Sequence, residues 1–544
     1  MGWRASKACS WLFIAGILVD GVGPARAQQQ PVMSAGNVPP GLQAWLGRDL
    51  CGTSFWTLFQ GSLGSALQLF NARDFRASLS GVLKLLAPVV RNPHVGFDCG
   101  TAVASALILA AQCCEQLNSL VLGARMRQLA AIFASFDYQM KGQEFIDQSP
   151  WPMQWMDSME GILWSMGSLK QYELSVEPWR GSSLRNALAG RHGQALPTRI
   201  AIVSVCDYDA GQTPLARLSK INAEGYAKRH GYDIVMHDKA PVFSDPLSSM
   251  LTDPISHRPA AWSKVDAILM SLAEGKHDWV MWKDCDSFFM DHDIRLDDVV
   301  AVADHAGLSG GNGELTALQT LVSEWLAGPQ PSQSNGSGGT SLPAGLLSWY
   351  DDLFAKHWQR AAAGSLEFGE LENTTLGWKN WLFEERAHHL IASEDGLMLN
   401  TGNLLVRAST WSWQFFQKVR AMTFGRSPVM QHPWWEQTAM VYLLQLPFSL
   451  AEAAQQLQTG SLAVRGFAPA CLLLSQKHIN TYPPLVASSL RTHEAFSPGD
   501  YIISFSGCKV YSSQEVCNQL FLTYFFQVHD ARTWETDPGL LPWL

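Results

Sequence analysis

The chain has 544 residues, 47% of them hydrophobic and 16% charged, with a formal net charge of −9. That balance describes a globular protein with a large core and room for two or three domains, and it excludes a disordered chain. The 39 lysines and arginines form no basic stripe against the 48 aspartates and glutamates, so nucleic acid is not an expected partner.

In chain order, Arg4 and Lys7 precede a short apolar run from Trp11 to Val19, which Asp20 interrupts. Ala25-Arg26-Ala27 follows as a small-x-small cleavage pattern. Residues 1–27 therefore read as a signal peptide, with a short type II membrane anchor as the alternative. Either directs the rest of the chain into the secretory pathway. Residues 28–41 are polar and read as a flexible leader. Residues 42–180 place apolar side chains at helical spacing, with Leu117, Leu120, Leu122, Met126, Leu129 and Ile132 on one face. The apolar stretch from Thr101 to Cys114 is too short to span a bilayer and reads as a buried helix. This helical region holds no chemistry-bearing motif. It reads as a packing or docking region through which a protein partner could bind.

After a linker the pattern changes, and residues 196–540 read as an α/β domain with a flexible Gly/Ser/Pro insertion at 328–345. Strands are expected at Ile200–Cys206, Tyr232–His237 and Asp278–Lys283, with helices at Pro214–Arg229 and Trp262–Ala273 between them. Alternating strands and helices imply right-handed crossovers and a mainly parallel sheet. Later strands are expected at Leu404–Arg407 and Tyr501–Phe505, and a helix at Trp434–Leu444. Asn335-Gly336-Ser337 and Asn373-Thr374-Thr375 are glycosylation sequons. Ten cysteines are present, and setting aside Cys9 in the leading segment leaves an odd number. Cys508 with Cys517 and Cys51 with Cys99 are the pairings that position suggests, although spacing alone does not fix connectivity.

The chemistry concentrates at Trp279-Val280-Met281-Trp282-Lys283-Asp284-Cys285-Asp286. An apolar run ends in two aspartates spaced i and i+2, which point to the same side of an extended chain. Ligands of open parallel sheets bind at the carboxyl ends of strands, where this pair falls. Two carboxylates held together repel unless a cation lies between them, and oxygen ligands suit Mg²⁺ or Mn²⁺. The plain alternative is a solvated turn.

The order of further motifs carries a resemblance. Asn222…Tyr226-Ala227-Lys228-Arg229-His230-Gly231-Tyr232-Asp233 comes first, then Trp262-Ser263-Lys264 and the Asp284-Cys285-Asp286 run. Ser393-Glu394-Asp395, Leu399-Asn400-Thr401-Gly402, Trp434-Trp435-Glu436-Gln437 and Gly499 through Lys509 follow. Together they resemble the galactosyltransferase/mannosyltransferase/xylosyltransferase group, glycosyltransferase family 34. The resemblance implies a GT-A αβα sandwich that binds a nucleotide-sugar donor and transfers the sugar, with retention, to a glycan or glycoprotein acceptor. It implies Mn²⁺ (or Mg²⁺) as cofactor and the Golgi lumen as compartment. Mapped onto this chain, Asp284, Asp286 and Ser504 would be the metal positions, and Lys264, Asp284, Asp395, Asn400, Gly402 and Gly507 would line the nucleotide-sugar pocket. Glu436, Gln437 and Lys509 would be catalytic. One departure stands out: the family's His-Phe-Ala-Gly-Cys is here Ser504-Phe505-Ser506-Gly507-Cys508, so the family's third metal ligand is a serine.

Each assignment has a structural alternative. Lys264 could be a solvated helix residue, Trp434 and Trp435 could be core, and Asn400 and Gly402 could only shape a turn. Asp291, His292, Asp293, Asp297 and Asp298 read as a solvated acidic loop.

Overall fold

The structure, a computed structural model, describes residues 53–91, 97, 99–147, 198–243, 258–305, 388–395, 398–423, 429, 432, 434–459, 466–488, 494–529 and 543. The targeting segment, leader, linker, Gly/Ser/Pro insertion, both sequons and Cys51 lie outside the described residues.

The described chain opens with helices α1 (Thr53–Asn71), α2 (Phe75–Arg91), α3 (Gly100–Gln116) and α4 (Leu120–Asp147). On α3, Val103, Leu107, Ala110 and Cys114 are all buried, so it is the core helix its short apolar stretch implied. On α4, Leu122, Met126, Leu129 and Ile132 face inward as their spacing predicts, whereas Leu120, at the first residue of the helix, is exposed. No described helix is long and apolar enough to cross a membrane.

From residue 198 onward a six-stranded sheet forms, in the order β2-β1-β3-β6-β5-β7. Its strands are β1 (Ile200–Val205), β2 (Asp233–His237), β3 (Trp279–Lys283), β5 (Leu390–Glu394), β6 (Leu399–Arg407) and β7 (Cys471–Ser475). β1 is parallel to β2 and β3, and β5 to β7, while β6 runs antiparallel between β3 and β5. Helices α5 (Leu215–His230) and α6 (Ser263–Ala273) supply the crossovers among the first three strands. The mainly parallel α/β architecture behind a helical N-terminal region is thus what the chain adopts; the reversed strand β6 is the element the crossover argument did not anticipate. A small second sheet pairs β4 (Ser287–Phe289) with β8 (Ile502–Ser504).

Both faces of the large sheet are covered, because side chains alternate across a strand. Trp279 and Met281 of β3 join one core with Tyr226 of α5 and with Leu296 and Val299 of α7 (Leu296–His305). Val280 and Trp282 join the other core, which continues through α6, α8 (Thr410–Ala421) and α9 (Trp435–Thr459) into α2, α3 and α4. The helical region therefore shares its apolar core with the sheet. Polar links cross the same boundary. Arg125 of α4 forms a bidentate pair with Glu394, its Nη2 donating to Oε2 at 2.9 Å. Gln445 of α9 donates to the Arg125 carbonyl at 2.9 Å, and His432 donates from Nε2 to the Ile132 carbonyl at 2.9 Å.

The expected solvated acidic loop is corrected by the structure. Asp291, Asp297 and Asp298 are buried, and Asp293 alone of the four is exposed. Asp297 accepts from the Tyr232 hydroxyl at 2.6 Å, from Arg295 at 2.9 Å and from the Thr198 amide at 3.1 Å, which compensates the buried charge. The Cys508–Cys517 disulfide is present as expected, and a second joins Cys206 to Cys285. Cys99 is disulfide-bonded, while Cys113, Cys114 and Cys471 are free and buried.

Candidate active site

β3 delivers Asp284 and Asp286 to the carboxyl end of the parallel strands, and the turn they form is held from two sides. The Asp284 amide donates to the Gly402 carbonyl on β6 at 2.7 Å, and the Asp286 carbonyl accepts from the Phe505 amide at 2.7 Å. Trp282 Nε1 donates to Asp284 Oδ1 at 2.7 Å, which fixes that carboxylate. Burial, reinforced by the neighbouring Asp284 charge, pushes the Asp286 carboxyl up to about 7. The ordinary negative charge of Asp286 is therefore disfavoured in this place unless a cation joins the pair.

Lys264, on α6, is buried at the centre of the site. Its Nζ donates to the Thr401 carbonyl at 2.7 Å and to Glu436 Oε1 at 2.9 Å, and lies 3.3 Å from Asp284 Oδ1. Burial alone would lower its proton affinity, but Asp284 and Glu436 outweigh burial and hold it above the ordinary lysine value. The solvated-helix alternative is thereby removed. Glu436 and Gln437 open α9. Glu436 Oε2 is buried and has no hydrogen-bond partner, which leaves one acceptor site unused. The half-buried Gln437 holds its carbonyl oxygen 3.4 Å from the Thr401 amide. Trp434 packs partly buried against the core, but Trp435 is 41% exposed with φ of +41°, a strained backbone state for an aromatic residue.

β6 adds the opposite wall. Asn400 Nδ2 donates to Asp395 Oδ2 at 3.0 Å, and its Oδ1 accepts from the Gly402 amide at 2.7 Å. The Tyr482 hydroxyl donates to Asp395 Oδ2 at 3.0 Å, so Asp395 is a buried anchor for Asn400. A Cβ at Gly402 would lie 3.0 Å from Asn400 Oδ1 and 3.2 Å from Asp284 Oδ2, so a side chain there would crowd both unless they gave way by a few tenths of an ångström. Ser504 lies opposite Ser287 in the small sheet, with its hydroxyl 2.8 Å from that of Ser506. Gly507 turns the chain at φ of +75°, and the exposed Lys509 beyond it places its Nζ 5.8 Å from the Tyr208 ring centroid.

The structure thus brings Lys264, Asp284, Asp395, Asn400, Gly402, Glu436 and Gln437 into one connected hydrogen-bonded set, while Lys509, two residues past Gly507, holds its ammonium over the Tyr208 ring. Sequence reasoning missed Tyr208, Thr401, Tyr482 and Lys283. Tyr208 follows β1 and is 37% exposed. Enclosure and then the charges of Asp286 and Asp284 push its phenol up. Lys283 is wholly buried on the opposite side of β3, donates to Ser219 Oγ at 2.8 Å, and is pushed down to about 7 by burial. Its place directly before the aspartates was the available signal.

The donor set fits a hard divalent ion. Asp284 and Asp286 offer two carboxylates, Ser504 at most a hydroxyl, and among the described residues no group of three or more His, Cys, Asp or Glu is placed to hold a metal. Two carboxylates completed by phosphate and water oxygens suit Mg²⁺ or Mn²⁺.

A family model described as the galactosyl transferase GMA12/MNN10 family matches residues 198–308 and 377–515. The α/β domain of this chain belongs to that family. The matched segments contain every site residue named above, and the helical region lies outside them. A solved structure described as a glycosyltransferase involved in the glycosylation of the major capsid of PBCV-1 aligns at 11% identity. It covers 60% of this chain and 99% of its own, with a TM-score of 0.29. No curated protein matches the chain. Family membership makes the chain a glycosyltransferase by kind.

Proposed function

We propose that this chain is a retaining glycosyltransferase of the secretory pathway, working in the Golgi lumen. In this reading it transfers a hexose or pentose from a nucleotide-sugar (UDP-galactose, UDP-xylose or GDP-mannose) to a glycan or glycoprotein acceptor. The carrying observation is the buried cluster in which Lys264 joins Asp284 at the end of β3 to Glu436 at the start of α9. Such a cluster links a diphosphate end to a sugar end within one enclosed site.

Asp284 and Asp286 would hold Mn²⁺ or Mg²⁺, which when bound neutralises the donor diphosphate and the charge that develops on it as it leaves. The chain's own residues supply the rest. Lys264 balances the Asp284 and Glu436 carboxylates in their buried place. Asp395 and Tyr482 hold Asn400, and Glu436 Oε2 offers an unused acceptor to a sugar hydroxyl. Lys509, exposed beside Tyr208, adds a mobile positive charge at the diphosphate end. Hydrolysis of UDP-galactose, UDP-xylose, UDP-glucose and GDP-mannose by the purified chain, with and without Mn²⁺, tests this. One donor hydrolysed in a metal-dependent way is expected; none hydrolysed under any condition would refute it.

A second reading rests on Ser504. A neutral hydroxyl already hydrogen-bonded to Ser506 is a poorer metal ligand than imidazole, which favours a relative that binds nucleotide or sugar without turnover. Nucleotide binding without hydrolysis in the same panel would select it.

A further inference from the structure

The residue between the two aspartates is a half-cystine. Cys285 is bonded to Cys206, one residue beyond β1 and 79 residues away in sequence. Both are buried, within an apolar cluster that includes Leu215, Leu218 and Phe288. β1 and β3 already pair in parallel from Ile200–Trp279 to Val203–Trp282, so the bond begins where ladder pairing stops. Its span is the two loops at the carboxyl ends of these strands. One loop carries Asp284 and Asp286; the other carries Tyr208, whose ring lies beneath Lys509 Nζ.

The turn is under electrostatic load. Its two carboxylates flank the sulfur-bearing residue, two positions apart, and like charges held this close repel. β6 holds the turn at the Asp284 amide, and Phe505, one residue past β8, holds it through the Asp286 carbonyl. The disulfide supplies a third anchor, from β1, at the middle residue. Unlike hydrogen bonds, it cannot yield a little at a time as the carboxylates repel.

We propose that Cys206 and Cys285 are positioning residues of the cation and diphosphate site, a covalent brace that keeps both aspartates presented to one ion and holds the Tyr208 loop against them. The inference rests on the metal-assisted reading given above. It adds that the site's cation affinity depends on the oxidised state of this bond, as expected for a chain that works in an oxidising compartment.

The test replaces both half-cystines in the full chain, Cys206→Ala with Cys285→Ala, and counts free Mn²⁺ by electron paramagnetic resonance well below the melting temperature. The dissociation constant for Mn²⁺ should rise about tenfold or more, the scale of losing a supporting group behind a metal ligand. Unchanged affinity would overturn the proposal. Should the double variant not fold, the wild-type chain is titrated with dithiothreitol. Each sulfur then takes up one electron and one proton while the reagent closes to its cyclic disulfide, and alkylation with mass mapping reports which bond has opened. Mn²⁺ affinity that falls with the open fraction of Cys206–Cys285 supports the brace; affinity that ignores it overturns it. A wild-type chain that binds no Mn²⁺ would remove the metal reading itself, a failure visible before any variant is compared.

Discussion

Lys264→Met tests the centre of the site through stability, without need of a substrate. Lys264 is buried, with its ammonium 2.9 Å from Glu436 Oε1, 3.3 Å from Asp284 Oδ1 and 2.7 Å from the Thr401 carbonyl. Removing one partner of a buried ion pair leaves the other charge uncompensated, at a cost of about 3–5 kcal/mol. At roughly 2–4 °C per kcal/mol for a domain of this order, Tm should fall by about 6–20 °C. Adding Glu436→Gln should restore about half of the lost stability, since it removes one of the stranded charges. Thermal melts followed by circular dichroism provide the measurement. A Lys264→Met chain that melts within about 2 °C of wild type would refute the buried-cluster reasoning.

Asp286→Asn should abolish donor hydrolysis while leaving Tm at or above the wild-type value, because it relieves repulsion with Asp284; near-normal turnover would remove Asp286 from the metal set. Lys509→Ala should lower turnover by about one to three orders of magnitude, the scale of losing one electrostatic stabiliser, with an unchanged melt because its ammonium is exposed. His432 is wholly buried, donates to Ile132, and is pushed down to about 3 by burial. A depressed histidine contributes stability that is present above its unfolded value of about 6.5 and is lost as pH falls below it. Denaturant titrations should therefore lose up to about 1.4 kcal/mol per pH unit between pH 6.5 and 5, and His432→Asn should flatten that slope. Finally, a chain begun at residue 196 should aggregate when refolded, because the core that α2, α3 and α4 share with α9 would be left open to water. A soluble monomer by light scattering would show that the helical region is dispensable for folding.

The sequence by itself determined the local elements and the chemistry of the motifs. Short continuous apolar runs placed β1 and β3 to within a residue, because a strand buried on both faces can be built from little else. The crossover helices with their buried stripes, such as Trp262, Val265, Ile268, Leu269 and Leu272, were legible for the same reason. Asp284 and Asp286 announced themselves by spacing. Tertiary structure alone decided what those residues face. Nothing local says that Lys264 turns inward, since a lysine on a helix is solvated unless carboxylates from distant strands meet it, and here one comes from β3 and one from α9. The burial of Asp297 likewise depends on Tyr232 and Arg295 being brought to it. β6 runs antiparallel because of where the chain re-enters the sheet, a matter of long-range pairing that short-range periodicity does not encode. The Cys206–Cys285 bond was hidden for the same reason: two half-cystines far apart in sequence became neighbours only once β1 and β3 were aligned in parallel.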